Sequence, residues 1–405
     1  MEAIIDISKA HGEIMAPPSK SLAHRYIICA SLSKGTSVIS NIDYSEDILA
    51  TIDCATELGA AIERNDSTLT ITGIDGSVKK DSFSFYCRES GSTMRFFMGV
   101  ALALGIPSKF YGSETLRRRP FGIFEDICAS ENIEFKKKED YIYVNGKLKN
   151  NSFKVLGNIS SQFITALLFV LPLLNGGKIT IIPPVESRSY IYLTLQALKA
   201  FKTEAFFEDD TTLRVLPGEY TASNITVEGD ESNAAFLEAF NYLGGSVKVL
   251  GLNKDTLQGD RVYKDYFEAL KKENAVLDIT DCPDLGPVLF AVAAASLNGG
   301  TFTGTKRLKL KESDRGRVMC EELSKFGVRS ESTENSITIY KSALKKPAER
   351  VYGHNDHRIV MSLTLLLTLT GGIINEAEAV RKSYPDFFED IKNLGIGVKF
   401  NGMDK

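Results

Sequence analysis

Lys20, Arg25, Arg95 and Arg358 stand at or just inside the starts of apolar runs with helical periodicity. A helix dipole disfavours a cation there by about 0.3–1 kcal/mol. One such residue alone reads as a side chain that reaches solvent or pairs with a nearby acid. Four together ask for negatively charged occupants. The same starts carry hydroxyls or a carboxylate, namely Ser19 and Ser21, Ser92 and Thr93, Ser160 and Ser161, Ser232, and Asp284, which read as N-caps. If the runs stack alike, their free N–H groups converge on one anion-attracting region. Two more basic clusters follow, LRRRP at 116–120 and KRLKLKESDR at 306–315. A charge run is usually a solvated face, but the second sets Glu312 between Lys311 and Arg315, which suits holding a phosphate or carboxylate beside a proton-transfer group. HNDHR at 354–358 offers a His-x-x-His pair without a third ligand at a sensible spacing, so no metal site is expected.

The elements that must position these groups recur along the chain. A small polar start, an apolar helical run, a Gly-containing turn and a β-rich run appear six times, with Ser21, Thr93, Ser161, Ser232, Leu285 and His357 as equivalent markers. Their spacings are 72, 68, 71, 53 and 72 residues, a period that signals repeated architecture. Amphipathic helices over 45–58 and 315–326, closed by LGA or FGV, lie between the runs, and alternating strands such as 68–72 follow them. Each unit reads as βαβαββ. The marked helices are apolar nearly all round, so they are expected in the middle of their domain with sheets outside, an inverted α/β layering. Three units per lobe give an N-terminal lobe over 14–228 and a C-terminal lobe over 229–405. The latter is completed by residues 1–13, whose strand at 3–7 precedes the first unit. Crossovers are expected near 14–18, at the Pro17-Pro18 pair, and near 224–230, with the site in a cleft between the lobes.

Bulk properties narrow the function class. The 405 residues suffice for two or three domains, and 43% hydrophobic content is ample for a buried core. Cys29, Cys54, Cys87, Cys128, Cys282 and Cys320 are scattered singly and read as reduced core residues. The start MEAIIDIS is unlike a signal peptide, so a cytoplasmic location is expected. The most apolar stretches, 163–174 and 359–370, are too short to span a bilayer. A net charge of −4 argues against a general nucleic-acid or anionic-membrane partner, and anion binding must be local.

At this point the residues carry a resemblance. PPSKSLAHR at 17–25, SGSTMR at 90–95, RRP at 118–120, SSQ at 160–162, SRSY at 187–190, KESDR at 311–315, NDHR at 355–358 and RKSYPDFF at 381–388 together resemble the ordered motif set of enolpyruvylshikimate-phosphate synthases. The resemblance implies a two-lobed inside-out α/β barrel. It implies transfer of the enolpyruvyl group of phosphoenolpyruvate to the 5-hydroxyl of shikimate 3-phosphate with release of phosphate, a step of aromatic amino acid biosynthesis. Neither a metal nor an organic cofactor is implied, and a monomer is expected. By motif position, Lys20, Ser21, Arg25, Ser160, Ser161, Gln162, Ser187, Tyr190, Asp284 and Lys311 would hold shikimate 3-phosphate. Lys20, Gly91, Arg119, Gln162, Arg315, Arg358 and Lys382 would hold phosphoenolpyruvate, where sensitive relatives also accept the inhibitor glyphosate. Asp284 matches the family's proton acceptor and Glu312 its proton donor, with Lys20 also assigned to the catalytic set.

The chemistry explains that inventory. Two substrates bring two phosphates and two carboxylates, which repel until cations neutralise them. Addition to the enol carbon needs a base for the hydroxyl and an acid for the methylene. Three positions depart from the pattern: Glu89 and Arg307 replace common asparagines and are left unassigned, and Ser189 replaces a proline beside Tyr190. The sister enzyme that transfers enolpyruvyl to a UDP-amino sugar would place a cysteine in the loop before its Arg-Pro and an asparagine after its first lysine. Residues 111–120 lack cysteine, and Ser21 follows Lys20. A non-catalytic polyanion-binding protein is the other alternative, and it leaves Asp284 and Glu312 without a purpose.

Overall fold

The computed structural model describes residues 1–75, 78–296 and 298–401. The chain divides into two compact units, Pro18–Glu228 and Met1–Pro17 with Gly229–Lys405, each with its own hydrophobic core.

In the unit Pro18–Glu228, three inner helices, Lys20–Leu32, Gly91–Leu104 and Ser161–Val170, are apolar on every side and correspondingly buried. Burial runs unbroken from Leu22 to Leu32 in the first and from Phe163 to Val170 in the third. Each large apolar side chain removed from water contributes about 1.5–3 kcal/mol, so these faces cannot be left exposed. The second and third helices approach closely at Gly99, where a Cβ would lie 3.2 Å from both Ala166 Cβ and Val170 Cγ2. Four-stranded sheets lie outside them. In the second repeat Phe83–Tyr86 runs parallel to Ser108–Tyr111, and the hairpin Glu134–Lys137/Tyr141–Asn145 closes the sheet antiparallel. The third repeat repeats this order with Ser152–Leu156, Gly177–Ile182, Ala205–Phe207 and Thr212–Val215. The first borrows its opening strand, Asn224–Thr226, from the far end of the unit.

The other unit has inner helices Glu231–Tyr242, Gly286–Ala295 and His357–Thr370. Its last sheet takes the N-terminal strand Glu2–Ile5 between Gly372–Asn375 and Val398–Asn401. The fourth repeat departs from the sixfold βαβαββ pattern. Its sheet has two strands, His11–Met15 parallel to Ser246–Leu250, and after the helix Tyr263–Ala269 the chain passes straight to Val276–Asp278. The missing hairpin accounts for the 53-residue interval. On the free side of Ser246–Leu250, Val247 turns its N–H and C=O to the side chain of Asn241. The amide oxygen accepts from Val247 N at 2.6 Å, and the amide nitrogen donates to Val247 O at 2.8 Å.

Helix starts differ in detail from the sequence expectation. The second inner helix is capped by Ser90, whose hydroxyl accepts from Thr93 N, in place of Ser92 or Thr93. Asp230 caps the fourth in place of Ser232. Asp284 is no cap: it lies in the 3₁₀ turn Pro283–Leu285, and its carboxylate meets cations instead. The helix over 45–58 forms as Glu46–Leu58, ended by Gly59 at φ 118°, a conformation that glycine adopts without steric cost.

Candidate active site

In the unit Pro18–Glu228 the starts of the three inner helices are tied together by side chains. His24 Nδ1 meets Thr51 Oγ1 at 2.6 Å, Thr51 Oγ1 meets Thr93 Oγ1 at 2.7 Å, and Thr93 Oγ1 reaches Ser90 Oγ at 2.8 Å. Gln162 Nε2 donates to Ser92 Oγ at 2.9 Å and its Oε1 accepts from Arg95, so the amide orientation is set from both ends. Arg95 also donates to Pro120 O and stacks on Phe121 and Phe163, with ring centroids 5.4 and 5.1 Å away. Gly91 faces this group: a Cβ there would lie 2.9 Å from Arg119 Nη1, 3.0 Å from Arg95 Nη1 and 3.6 Å from Gln162 Oε1.

Arg25 is 3% exposed. Its guanidinium donates to Thr194 Oγ1 at 3.0 Å, Ser21 O at 2.6 Å, Tyr190 O at 3.1 Å and Thr165 Oγ1 at 3.3 Å, and it lies over the Phe96 ring. All these partners are neutral. Burial pushes its pKa down to about 10, which leaves it charged at neutral pH. A buried cation among uncharged acceptors is a standing attraction for an anion. Lys20, at the first turn of the first helix, pairs with Asp47 at 2.7 Å. Ser160 caps the third helix by accepting from Gln162 N at 3.3 Å, and Ser161 is buried beside it. Ser187, at φ 55°, leads into the helix Arg188–Ala200, whose Tyr190 carbonyl holds Arg25. Burial, then the charges of Lys20 and Arg25, hold His24 well below the ordinary histidine pKa, so the ring is neutral.

In the other unit a second cluster gathers at the starts of the fifth and sixth inner helices. Arg315, 1% exposed, donates to Asp356 Oδ2 at 2.8 Å and Oδ1 at 3.2 Å, to Asp284 Oδ1 at 2.8 Å and to Glu312 Oε2 at 2.6 Å. Lys311 Nζ is 2.9 Å and Arg358 Nη2 3.5 Å from the Asp284 carboxylate. Asp356 also caps the helix His357–Thr370 and accepts from Ser313. Lys382 donates to Asn355 O. Burial alone would raise the Asp284 pKa, but Lys311, Arg358 and Arg315 outweigh it and hold the carboxyl well below the ordinary range. Burial lowers the Lys311 pKa, with Asp284 opposing. Burial works against the Arg315 charge too, yet Asp356, Glu312 and Asp284 raise its pKa and keep it permanently cationic. The arrangement links three carboxyl groups through the Arg315 guanidinium and sets two further cations on one of them, Asp284, the components for moving a proton beside a bound anion.

The structure therefore brings Gly91, Arg119 and Gln162 together, and joins Arg25 to Ser21 and Tyr190. It likewise gathers Lys311, Arg315 and Arg358 around the Asp284 carboxylate, with Glu312 on the Arg315 guanidinium. The cations at the helix starts do not reach out to solvent: Arg25, Arg95 and Arg358 are buried. Sequence reasoning passed over Asp47, which anchors Lys20, and Asp356, which anchors Arg315. The legible signal for Asp356 was an acid directly before a helical run. Arg95 was noticed for its place on the helix but given no part in the site. Among the described residues no group of three or more His, Cys, Asp or Glu side chains is placed to hold a metal ion, and His354 meets Glu322 at 2.9 Å. No helix described is long and apolar enough to cross a membrane, and the six cysteines are free.

Comparison with known proteins points to one family. The family model described as EPSP synthase (3-phosphoshikimate 1-carboxyvinyltransferase) matches residues 4–391. A 3-phosphoshikimate 1-carboxyvinyltransferase of Clostridioides difficile (strain 630) is 38% identical, with 98% of each chain covered. One from Clostridium kluyveri is 39% identical over 96% of each chain. Among solved structures, an EPSP synthase of Acinetobacter baumannii superposes with a TM-score of 0.78 at 22% identity, covering 98% of this chain and 99% of that one, which speaks to the fold. From the whole-chain family match and these relatives it follows that the chain belongs to the EPSP synthase family.

Proposed function

We propose that this enzyme transfers the enolpyruvyl group of phosphoenolpyruvate to the 5-hydroxyl of shikimate 3-phosphate, giving 5-enolpyruvylshikimate 3-phosphate and phosphate. The observation that carries the reading is the Asp284 carboxylate held ionised by Lys311, Arg358 and Arg315 with Glu312 on the same guanidinium. In this reading Asp284 takes the 5-hydroxyl proton as the oxygen bonds to C2 of phosphoenolpyruvate, while Glu312 protonates the C3 methylene. The methyl of the adduct then returns a proton to Glu312 as the C–O bond to phosphate breaks, and the departing phosphate takes the proton held by Asp284, so both carboxyls regain their starting states and the proton count balances. Lys20, Ser21, Arg25, Ser160, Ser161, Gln162, Ser187, Tyr190, Asp284 and Lys311 hold shikimate 3-phosphate. Lys20, the backbone at Gly91, Arg119, Gln162, Arg315, Arg358 and Lys382 hold phosphoenolpyruvate.

The lobes of this reading are residues 14–228 and residues 229–405 with 1–13, hinged near 14–18 and 224–230. It also takes the protein to be a cytoplasmic monomer and glyphosate to compete with phosphoenolpyruvate. Phosphate release, assayed with both substrates together and with each alone, tests the reaction. Release that requires both, with the enol ether detected by proton resonance, is expected, and phosphate release without shikimate 3-phosphate would overturn the reading.

A further inference from the structure

A second buried carboxyl shares the neighbourhood of Asp284. Asp260, 5% exposed, lies in the turn Gly259–Val262. Its Oδ2 accepts from Ser232 Oγ at 2.5 Å, and its buried Oδ1 has no hydrogen-bond partner among the described residues. The turn is fixed on the start of the helix Glu231–Tyr242: Gln258 Nε2 donates to Gly229 O at 2.7 Å, and Gln258 Oε1 accepts from Glu231 N at 3.2 Å. Asp260 therefore cannot swing away to find water. The charged and titratable groups acting on it are Asp284 from the turn Pro283–Leu285, Arg358 from the helix His357–Thr370 and Asp230 at the helix cap, with the Cys282 thiol also in range.

We infer that Asp260 is a positioning residue for the reaction assigned above, a buried carboxyl that acts through Arg358 and governs how freely that guanidinium turns to an anionic substrate. The argument rests on opposite environments for two neighbouring carboxyls. Asp284 is surrounded by cations and stays ionised, whereas Asp260 has one hydroxyl donor and a second, buried oxygen without a hydrogen-bond partner among the described residues. Ionising Asp260 adds a negative charge that attracts Arg358 and repels phosphoenolpyruvate. Protonating it releases the guanidinium. Burial, and next the charge of Asp284, push the carboxyl up to about 7, so the change falls in the working range of pH.

The inference depends on the proposed reaction, and the test separates the two. Steady-state rates with varied phosphoenolpyruvate are measured from about pH 6 to pH 8 for the wild type and Asp260→Asn, which keeps a partner for Ser232. The substrate's own titration is common to both proteins, so the ratio of their kcat/KM values isolates Asp260. That ratio is expected to rise roughly three- to tenfold in favour of the variant between the two ends, with the difference in KM. Ser232→Ala removes the donor that favours the ionised carboxyl and should move the wild-type limb to higher pH. It also serves as the test if Asp260→Asn does not fold. A flat ratio in an active enzyme, or a limb that Ser232→Ala leaves in place, overturns the role of Asp260. An inactive wild type would instead sink the reaction.

Discussion

Gly91→Ala adds one methyl at the point where two guanidiniums and an amide meet. The new carbon would lie 2.9 Å from Arg119 Nη1 and 3.0 Å from Arg95 Nη1, against an ordinary contact of about 3.5 Å, so something must retreat by about half an ångström. Arg95 is the poorer candidate, because Phe121, Phe163, Pro120 O and Gln162 already hold it. Arg119 is therefore the side chain expected to move. Overpacking of this kind costs about 1–3 kcal/mol, or about five- to 150-fold in a binding constant. The cost should fall on the site and not on the fold. Gly91 has no positive φ and opens a helix, where alanine is favoured by about 0.4–1 kcal/mol, so the melting temperature should hold or rise. Glyphosate separates its phosphonate and carboxylate further than phosphoenolpyruvate separates its own anionic groups, so the inhibitor should lose more affinity than the substrate. Initial rates across several phosphoenolpyruvate concentrations, with and without glyphosate, give both constants for wild type and variant. Equal inhibition constants in the two proteins would falsify the placement of Gly91 against the phosphoenolpyruvate pocket.

Other substitutions probe separate parts of the same chemistry. Asp284→Asn and Glu312→Gln should each lower kcat by roughly 10²- to 10⁴-fold while substrate binding changes less, and a near wild-type kcat in either variant removes that residue from the mechanism. Arg25→Met should weaken shikimate 3-phosphate binding, read by calorimetry, by about ten- to 150-fold, the worth of a charge-assisted hydrogen bond. Unchanged affinity would free Arg25 from the phosphate. His24, neutral and buried, should cost stability below its ordinary pKa of 6.5, because the unfolded chain then takes up a proton that the folded ring refuses. The loss therefore appears as pH falls from about 7 to 5, and the drop in melting temperature over that window should shrink in His24→Asn. Parallel curves for the two proteins would contradict it.

Much of this was legible in the sequence because helix burial and repeat length are one-dimensional signals. All-round apolar runs announced inner helices, and the short fourth interval marked the repeat that lacks its hairpin. The strand over 68–72 and the helix from Glu46 were visible from alternation and from the Ser45 and Gly59 that bracket the helix. Cap identities were less legible, because Ser90, Ser92 and Thr93 are chemically interchangeable on paper and only the backbone decides which hydroxyl faces the free N–H groups. Pairing over long distances was not legible at all. Nothing local to Asp47 or Asp356 says that Lys20 and Arg315 will close on them, since these contacts span 27 and 41 residues. Arg95 shows the same gap: its helical position was clear, yet the rings of Phe121 and Phe163 that make it rigid come from elsewhere in the chain.

The abbreviated fourth repeat leaves its edge on a sheet of only two strands. A strand left without a partner is a template on which another chain can grow, and the commonest outcome is runaway self-association. Here the vacancy faces Val247, and a single amide from Asn241 supplies the donor and acceptor that an incoming strand would have brought. The exposed Lys248, paired with Glu13 on the adjoining strand, adds charge beside it. In a repeat without a hairpin, one side chain thus imitates a length of backbone and blunts the edge against an incoming strand.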